Sequence, residues 1–525
     1  MSTNAREAPV DAPARRRSRS PVAVSEVVLV VAVAAAVVSG IALRMLLTRT
    51  PLWLDEAQTV AIARLPLSDI PAALRQDGHP PLYYVLLHGW MQVFGQGDGG
   101  ARSLSAVFGV LTLVPLAALA RRMAGASAML AGLALAGTSP FLVRYATEAR
   151  MYSLVALLVL LWWLAVQRAV ESPRPARVAA VAVLVGALLL THYWSVFLFL
   201  AAAVTLGLRM WRSGPRVRSA IQSVAVAHVV GGLVFVPWVP SLLVQLDRTG
   251  TPWADPPNPV WAVMDTAVNL SGGLGRRQGV ALYPLLIVLV LVGVFGRALS
   301  SRRIELDLTV PGPARAVSLL VTSTTAIGLT VVLLTGSGFA TRYLSVVVPF
   351  VVVLAARGVA QFDRPIQVGL VGAAVVLGLA GSWSAVDVDR SQGAQVAEAV
   401  ERYQFRDSIA VACPDQLGPA TARYLPAGVP ILAYPLLTPA GRVDWTDYEQ
   451  RNDAADPRAV ADRIVARAGG NDVWLVWQPG YRTLGTQCEQ LRQALTRRLG
   501  RPVDVVWNRN VFEPMRLSRF RNEPA

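Results

Sequence analysis

The stretch Pro51-Leu-Trp-Leu-Asp-Glu-Ala-Gln-Thr59 places two adjacent acids, Asp55 and Glu56, just after the first long apolar segment of the chain. That segment, Val27 to Leu43, exceeds a typical signal-peptide core and lacks a small-residue cleavage pattern, so it predicts a retained transmembrane helix. Two carboxylates at the mouth of a membrane helix are costly unless something uses them. Their use depends on the side of the membrane that they face, which the arginines indicate.

The composition is that of an integral membrane protein. Of 525 residues, 54% are hydrophobic and only 16% are charged, and the mean hydropathy is +0.46. All 49 basic residues are Arg, and this bias, with many Ala, Val and Leu residues, indicates a GC-rich bacterial genome. The net charge is +16, but the arginines fall in short clusters between apolar segments, so we expect membrane lipids and no nucleic acid as partners.

The apolar segments predict an α-helical polytopic membrane protein with about eleven transmembrane helices. Segments of roughly 17–25 residues, the length needed to span a bilayer, lie near 24–47, 102–121, 124–142, 151–169, 177–192, 194–211, 220–243, 279–298, 316–336, 342–358 and 366–384. The predicted transmembrane domain is 23–388, with an outer loop over 48–100. Within that loop, residues 81–94 are too few to span and predict an interfacial or re-entrant helix. The Pro-, Ala- and Arg-rich residues 1–22 predict a disordered cytoplasmic tail.

Charge asymmetry orients these spans. With a cytoplasmic N-terminus, the cytoplasmic loops hold the basic clusters Arg121-Arg122, Arg174/Arg177, Arg212/Arg216/Arg218, Arg302-Arg303 and Arg364, as the positive-inside rule requires. The acidic pair and everything after about residue 385 then lie outside the cytoplasm.

Residues 389–525 have the composition of a soluble protein. Helical stretches alternate there with short apolar runs, which predicts an extracytoplasmic α/β domain. The domain contains both cysteines, Cys413 and Cys488. They could form a disulfide in an oxidising compartment or remain two buried thiols, and their spacing does not decide between these.

Polar side chains cluster on the predicted outer face. A carboxylate there can act as a general base toward a hydroxyl or ligate a divalent cation, for which Asp55 is the candidate, while arginines can hold a phosphate leaving group. The candidate substrate-binding residues are Asp77, His79, Tyr83, Arg144, Glu148, Arg150, Tyr152, His192, Arg342 and Tyr343.

The order of these motifs resembles the GT-C membrane glycosyltransferases, in particular the protein O-mannosyltransferase and aminoarabinose transferase branch. An acidic pair follows the first span, then come His79-Pro80-Pro81-Leu82-Tyr83-Tyr84 and Ala101-Arg102-Ser-Leu-Ser-Ala106. The resemblance is strongest over residues 50–155 and around Arg342-Tyr343. It does not extend to the C-terminal domain.

The resemblance implies site roles. It places a catalytic acid at Asp55 with Glu56 adjacent, and donor-phosphate contacts at Arg342 and Tyr343. Glu148 and Arg150 match the second outer loop of the family only loosely. The aminoarabinose branch has a lysine and an acid near the Pro-Pro element, whereas this chain has Gly78-His79, and that departure leaves the metal-binding detail open.

The sequence therefore predicts a glycosyltransferase. It would move a monosaccharide such as mannose or arabinose from a polyprenyl-phosphate donor to an envelope glycan, lipid or protein acceptor on the outer face; the stereochemical outcome is not assigned. A secondary transporter or lipid flippase is an alternative that expects internal repeats and midplane polar residues, neither of which stands out. A non-catalytic envelope assembly factor is another.

Each site residue also has a structural interpretation. Asp55 could cap the helix that follows it, and His79 and His192 could be hydrogen-bonded structural residues. Tyr83 could belong to an interfacial aromatic belt. Glu148 could form a local ion pair with Arg144 or Arg150.

Overall fold

The computed structural model describes residues 21–46, 50–252, 254, 258–272, 277–300, 303–310, 312–386, 389–403, 408–426 and 429–521. The predicted disordered tail, residues 1–22, lies almost entirely outside the described residues. Arg302, one of the arginines predicted to lie in a cytoplasmic loop, also lies outside them.

The membrane part is a bundle of apolar helices. Its helices are α1 (Pro21–Leu46), α2 (Leu54–Ala63), α3 (Ile70–Asp77), α4 (Leu82–Phe94), α5 (Asp98–Leu111), α6 (Leu113–Thr138), α7 (Pro140–Ala146), α8 (Tyr152–Glu171), α9 (Pro175–Leu189), α10 (Ser195–Trp211), α11 (Pro215–Leu233), α12 (Val239–Arg248), α13 (Pro259–Leu270), α14 (Arg277–Phe295), α15 (Gly312–Thr335), α16 (Val348–Val359) and α17 (Arg364–Val386). A hairpin of β1 (Gly296–Ser300) and β2 (Arg303–Leu306) joins α14 to α15, and single 3-10 turns lie at Val236–Trp238 and Thr341–Val346.

These helices confirm a polytopic membrane fold. Within the described ranges, six helical stretches are long and apolar enough to cross a bilayer, and shorter apolar helices accompany them. The number of crossings stays a prediction. The predicted break between spans 102–121 and 124–142 coincides with a kink in α6, where Gly125 has a φ of 74°, a left-handed conformation that glycine adopts without steric cost.

The loop between α1 and α5 folds into three short helices, α2 to α4. The predicted interfacial segment is helical as α4, whose 13 residues are too few to span a bilayer. Asp55 and Glu56 lie in the first turn of α2, where negative charge is favourable toward the helix dipole.

The C-terminal residues form an α/β domain. Its helices are α18 (Gly393–Arg402), α19 (Gly418–Tyr424), α20 (Tyr448–Asp453), α21 (Pro457–Ala468) and α22 (Gln487–Leu499), with a 3-10 turn at Asp415–Leu417; its strands are β3 (Ile409–Cys413), β4 (Ile431–Ala433), β5 (Thr438–Pro439), β6 (Val473–Trp477), β7 (Val503–Val506) and β8 (Arg516–Phe520). The sheet order is β5-β4-β3-β6-β8-β7, and β3 is parallel to both of its neighbours. Every residue of β3 and β6 is buried, as their apolar runs predict.

The two cysteines are joined. A disulfide links Cys413, at the end of β3, to Cys488 in α22, with the Cα atoms 5.5 Å apart. Of the two alternatives that the sequence leaves open, the structure contains the disulfide.

The C-terminal domain is docked onto the helices of the outer loop. Gln58 in α2 exchanges two hydrogen bonds with the backbone of Val443, at 2.9 and 2.8 Å. Asp98, at the start of α5, accepts hydrogen bonds of 2.6 Å from Arg423 and from Tyr424. These contacts hold the domain against the outer loop, and a cavity lies between the two.

Candidate functional site

A cavity of about 320 Å³ lies between the outer loop and the C-terminal domain. Its volume is in the range of small-molecule binding sites. It is lined by Trp53, Leu54, Asp55, Gln58, Asp77, Gly78, His79, Arg150, Tyr152, Thr249, Gly250, Thr251, Arg342, Tyr343, Gln416, Trp445, Tyr481, Phe512, Glu513 and Pro514. Six of the predicted substrate-binding residues are among them, together with the candidate base Asp55.

Asp55 lies between two arginines. Its Oδ2 atom is 3.5 Å from a terminal nitrogen of Arg342 and 3.9 Å from one of Arg150. That oxygen is buried, and none of the residues within the described ranges donates a hydrogen bond to it. The side chain of Asp55 does not cap α2, so the capping interpretation is wrong. A carboxylate between two guanidinium groups, with an unused oxygen, is arranged to meet a ligand.

Glu56 points away from the cavity. It is fully buried and accepts hydrogen bonds of 2.6 and 2.5 Å from Arg102, and a third of 2.9 Å from the backbone N–H of Ala149. Burial alone would raise its pKa, but Arg102 and Arg390 hold the pKa of Glu56 below its usual range. Its oxygens are occupied by structural partners, so the catalytic role expected for Glu56 has no geometric support.

Asp77 and His79 form a fixed dyad. His79 Nε2 is 2.9 Å from a nitrogen of Arg150, which has only donors, so Nε2 accepts and the proton of His79 resides on Nδ1. The Nδ1–H then donates to Asp77 Oδ2 at 2.9 Å, an oxygen that also accepts from the hydroxyl of Tyr84 at 2.9 Å. Burial would raise the pKa of Asp77, but the hydrogen bond from His79 and the charge of Arg150 hold the pKa well below its usual range.

The dyad orients Arg150 in turn. Besides His79, Arg150 donates to the hydroxyl of Thr59 at 2.9 Å, and its side chain is only 3% exposed. Its guanidinium is therefore held from several sides while it faces Asp55, which makes it a preorganised cation at the cavity wall.

Arg144 and Glu148 line a neighbouring cavity instead. This second cavity, of about 520 Å³, shares only Trp53, Arg342 and Phe512 with the first. The two side chains form an ion pair of 3.9 Å, which agrees with the structural interpretation of Glu148. Trp53 and Phe512 separate the two cavities, their rings 4.9 Å apart at an interplanar angle of 87°.

Other predicted residues form or support the wall. Tyr152 and Tyr343 line the first cavity, and the ring of His192 packs between theirs at 5.9 and 5.7 Å, behind the lining. Tyr83 is fully buried and bonds to Ser105 at 2.7 Å, away from the cavity. His192 and Tyr83 therefore lie where direct ligand contact is blocked, which corrects the binding role expected for them.

The residues present do not suit a dedicated metal site. Among the described residues, no three His, Cys, Asp or Glu side chains converge as ligands, and a cation at Asp55 would stand beside the guanidinium groups of Arg150 and Arg342. We therefore assign no step to a divalent cation.

The sequence did not indicate several lining residues. The most consequential come from the C-terminal domain: Gln416, Trp445, Tyr481, Phe512, Glu513 and Pro514. Gln416 lies in the 3-10 turn Asp415–Leu417 and the others lie in connecting segments, all without a recognisable motif, and the docking of the domain brings them to the cavity of Asp55.

Comparison with known proteins agrees with this architecture. Residues 78–242 match the Dolichyl-phosphate-mannose-protein mannosyltransferase family. No curated protein matches the chain in sequence. Among solved structures, ArnT from Cupriavidus metallidurans bound to undecaprenyl phosphate is 14% identical with a TM-score of 0.56, covering 96% of this chain and 99% of that one. Its apo state is 15% identical with the same TM-score, covering 96% of this chain and 100% of that one.

ArnT and this chain thus share a polytopic membrane fold over most of their lengths. Residues 78–242 are thus similar in sequence to the Dolichyl-phosphate-mannose-protein mannosyltransferase family, and the chain as a whole is similar in fold to ArnT.

Proposed function

We propose that this protein transfers a monosaccharide from a polyprenyl-phosphate donor to an acceptor hydroxyl, with Asp55 as the general base. The observation that carries the proposal is the position of Asp55 in the cavity, where one carboxylate oxygen accepts no hydrogen bond from the described part of the chain and two arginines lie within 4 Å. The solved relative with undecaprenyl phosphate and the family named for dolichyl-phosphate mannose support this donor class.

The proposed reaction is one displacement at the anomeric carbon. The acceptor oxygen forms a bond to that carbon while the bond to the phosphate oxygen breaks, and the hydroxyl proton passes to the carboxylate of Asp55. Polyprenyl phosphate leaves with the bonding electrons. Arg150 and Arg342 stabilise the charge that develops on it, because guanidinium groups pair well with phosphate oxygens.

The neutral tautomer of His79 matters for this chemistry. Since His79 accepts from Arg150 and donates to Asp77, it holds Arg150 without adding a positive charge of its own. In the proposed mechanism His79 positions Arg150, and Asp55 is the base.

The proposed orientation places the cavity outside the cytoplasm. The basic clusters of the sequence support it through the positive-inside rule. The disulfide between Cys413 and Cys488 also supports it, since disulfides persist in oxidising compartments. The sugar is proposed to be mannose, arabinose or a similar monosaccharide.

The test is an Asp55→Asn variant in membranes supplied with labelled polyprenyl-phosphate mannose or arabinose. We expect transfer to fall by about 100-fold or more, the usual contribution of a general base. Asp69→Asn is the matched control, because Asp69 belongs to the same outer loop but is exposed to solvent. Transfer by Asp55→Asn at the wild-type rate would overturn the mechanism.

A further inference from the structure

The wall that the C-terminal domain contributes to the cavity differs chemically from the opposite wall. We call it the ceiling, and define it as Gln416, Trp445, Tyr481, Phe512, Glu513 and Pro514. The rest of the lining includes Arg150 and Arg342, whereas the described residues of the ceiling include no cation and one carboxyl group. The cavity is therefore polarised, with its positive charge on the membrane-domain side.

Glu513 is built into the ceiling. It is 6% exposed, and its Oε1 accepts a hydrogen bond of 3.2 Å from the backbone N–H of Leu54, next to Asp55. The backbone N–H of Glu513 donates to the carbonyl of Arg390 at 2.9 Å. The other carboxyl oxygen, Oε2, is buried and has no hydrogen-bond partner among the described residues. A fixed, buried polar atom without a partner costs free energy unless a ligand satisfies it.

The protonation state of Glu513 suits a neutral ligand. Burial, together with the charges of Asp55 and Glu56, raises its pKa to about 8 despite hydrogen bonds from Ser391 and Leu54. At neutral pH the side chain is then mostly a carboxylic acid, which can both donate and accept a hydrogen bond.

The remaining ceiling residues also favour a neutral ligand. Trp445 and Tyr481 are half-buried, and Gln416 is buried with its amide donating to Thr483 at 3.2 Å. Aromatic rings give apolar faces on which the C–H groups of a pyranose or furanose pack, and the carboxyl and hydroxyl groups beside them match sugar hydroxyls. A phosphate group on this side would instead meet the carboxyl group of Glu513 and, among the described ceiling residues, no cation, which disfavours it.

Resting on the proposed function, we infer that the acceptor is an uncharged glycan whose terminal sugar lies against the ceiling, with Glu513 hydrogen-bonded to one of its hydroxyls. The donor phosphate takes the arginine side, and the acceptor hydroxyl next to the bound one reaches Asp55. Glu513 is thus a specificity residue contributed by the C-terminal domain.

The test measures acceptor binding separately from transfer. The full-length protein in nanodiscs is titrated with methyl glycosides of mannose, galactose and arabinose, with mannose 6-phosphate, and with an uncharged threonine peptide, and binding is followed by saturation-transfer NMR. We expect at least one neutral glycoside to bind about tenfold more tightly than the phosphate or the peptide, the effect of roughly one well-placed hydrogen bond. Tighter binding of mannose 6-phosphate or of the peptide would overturn the inference in favour of a phosphorylated lipid or a protein acceptor.

Substitutions of Glu513 test whether this residue binds the acceptor sugar. Glu513→Ala should weaken glycoside binding about tenfold, whereas Glu398→Gln, an exposed glutamate of the same domain, should not change it. Glu513→Gln keeps an acceptor for Leu54 and a donor for the sugar. Wild-type affinity should therefore decrease between pH 7 and 9, while that of Glu513→Gln stays constant.

Two results would remove Glu513 from the acceptor site: unchanged glycoside affinity in Glu513→Ala, or the same pH profile in Glu513→Gln as in the wild type. Donor binding and transfer are measured on the same samples. Selective glycoside binding without any transfer would refute the proposed function and leave only the neutral-sugar binding by Glu513.

Discussion

Replacing Glu56 with Gln should destabilise the protein, whereas replacing its neighbour Asp55 with Asn should stop transfer and leave stability nearly unchanged. Glu56 and Arg102 are both fully buried and joined by two short hydrogen bonds. Arg390 is 3.4 Å from the same carboxylate. Glu56→Gln therefore leaves the buried guanidinium of Arg102 without its counter-charge and removes one of the two carboxylates beside Arg390, the other being Glu148 at 4.0 Å.

The size of the effect follows from that burial. Removing one partner of a buried ion pair costs about 3–5 kcal/mol, because the remaining charge is left desolvated. Asp55, by contrast, is 17% exposed, and its Oδ2 makes ion pairs at 3.5 and 3.9 Å, too long for strong hydrogen bonds. Asp55→Asn should therefore cost no more than about 1 kcal/mol, as for a loosely held pair near solvent.

The measurement is the apparent unfolding temperature of the purified variants in nanodiscs at one scan rate, beside transfer assays on the same samples. Combining Glu56→Gln with Arg102→Gln should cost less than the sum of the single variants, because the double variant removes both buried charges of the pair. If Glu56→Gln unfolds at the wild-type temperature yet loses transfer as completely as Asp55→Asn, the assignment of separate roles is wrong.

Two further predictions concern charge. Arg342→Gln should raise the KM for the polyprenyl-phosphate donor about tenfold or more, the usual contribution of a hydrogen bond to a charged group. Arg342→Lys should restore only part of the donor affinity, because lysine cannot form a bidentate contact. Equal donor KM values in the wild type and both variants would contradict the role of Arg342 in binding phosphate. The second concerns Glu513, whose pKa rises from 4.5 to about 8 on folding. The native state then binds the proton more tightly, so its contribution to stability is complete below about pH 4.5 and is lost as pH increases toward 8. Thermal unfolding across this range should show that loss in the wild type and not in Glu513→Gln.

The fold was largely predictable because its signals are local. Apolar length identifies membrane helices, and alternating helical and apolar stretches identify an α/β domain. The kink at Gly125 and the helix Leu82–Phe94 also follow from nearby residues. The number of membrane crossings is harder to predict from the sequence, because a kinked or short helix does not always correspond to one passage through the bilayer.

The site was predictable only in part because side-chain direction depends on helix rotation. Successive residues of an α-helix point about 100° apart, and in α2 Asp55 faces the cavity whereas Glu56 is buried against Arg102. The sequence does not indicate which of these two side chains faces the cavity. The same geometry separates Tyr83, which bonds to Ser105, from Tyr84, which bonds to Asp77. Glu513 was inaccessible to sequence reasoning, since it contacts Leu54 across 459 positions of the chain.

The C-terminal domain determines more than the ceiling, because it also fixes the helix that carries the proposed base. Arg390, close to the start of the domain, pairs with Glu56 and donates to both the carbonyl and the hydroxyl of Thr147, at 3.0 and 2.9 Å. Glu56 is in turn held by Arg102. The rotation of α2, and with it the direction of Asp55 toward Arg150 and Arg342, therefore depends on buried contacts made by the domain. In the proposed mechanism recognition and catalysis are therefore physically coupled, since the domain that contributes Glu513 also holds α2, and with it Asp55, in place.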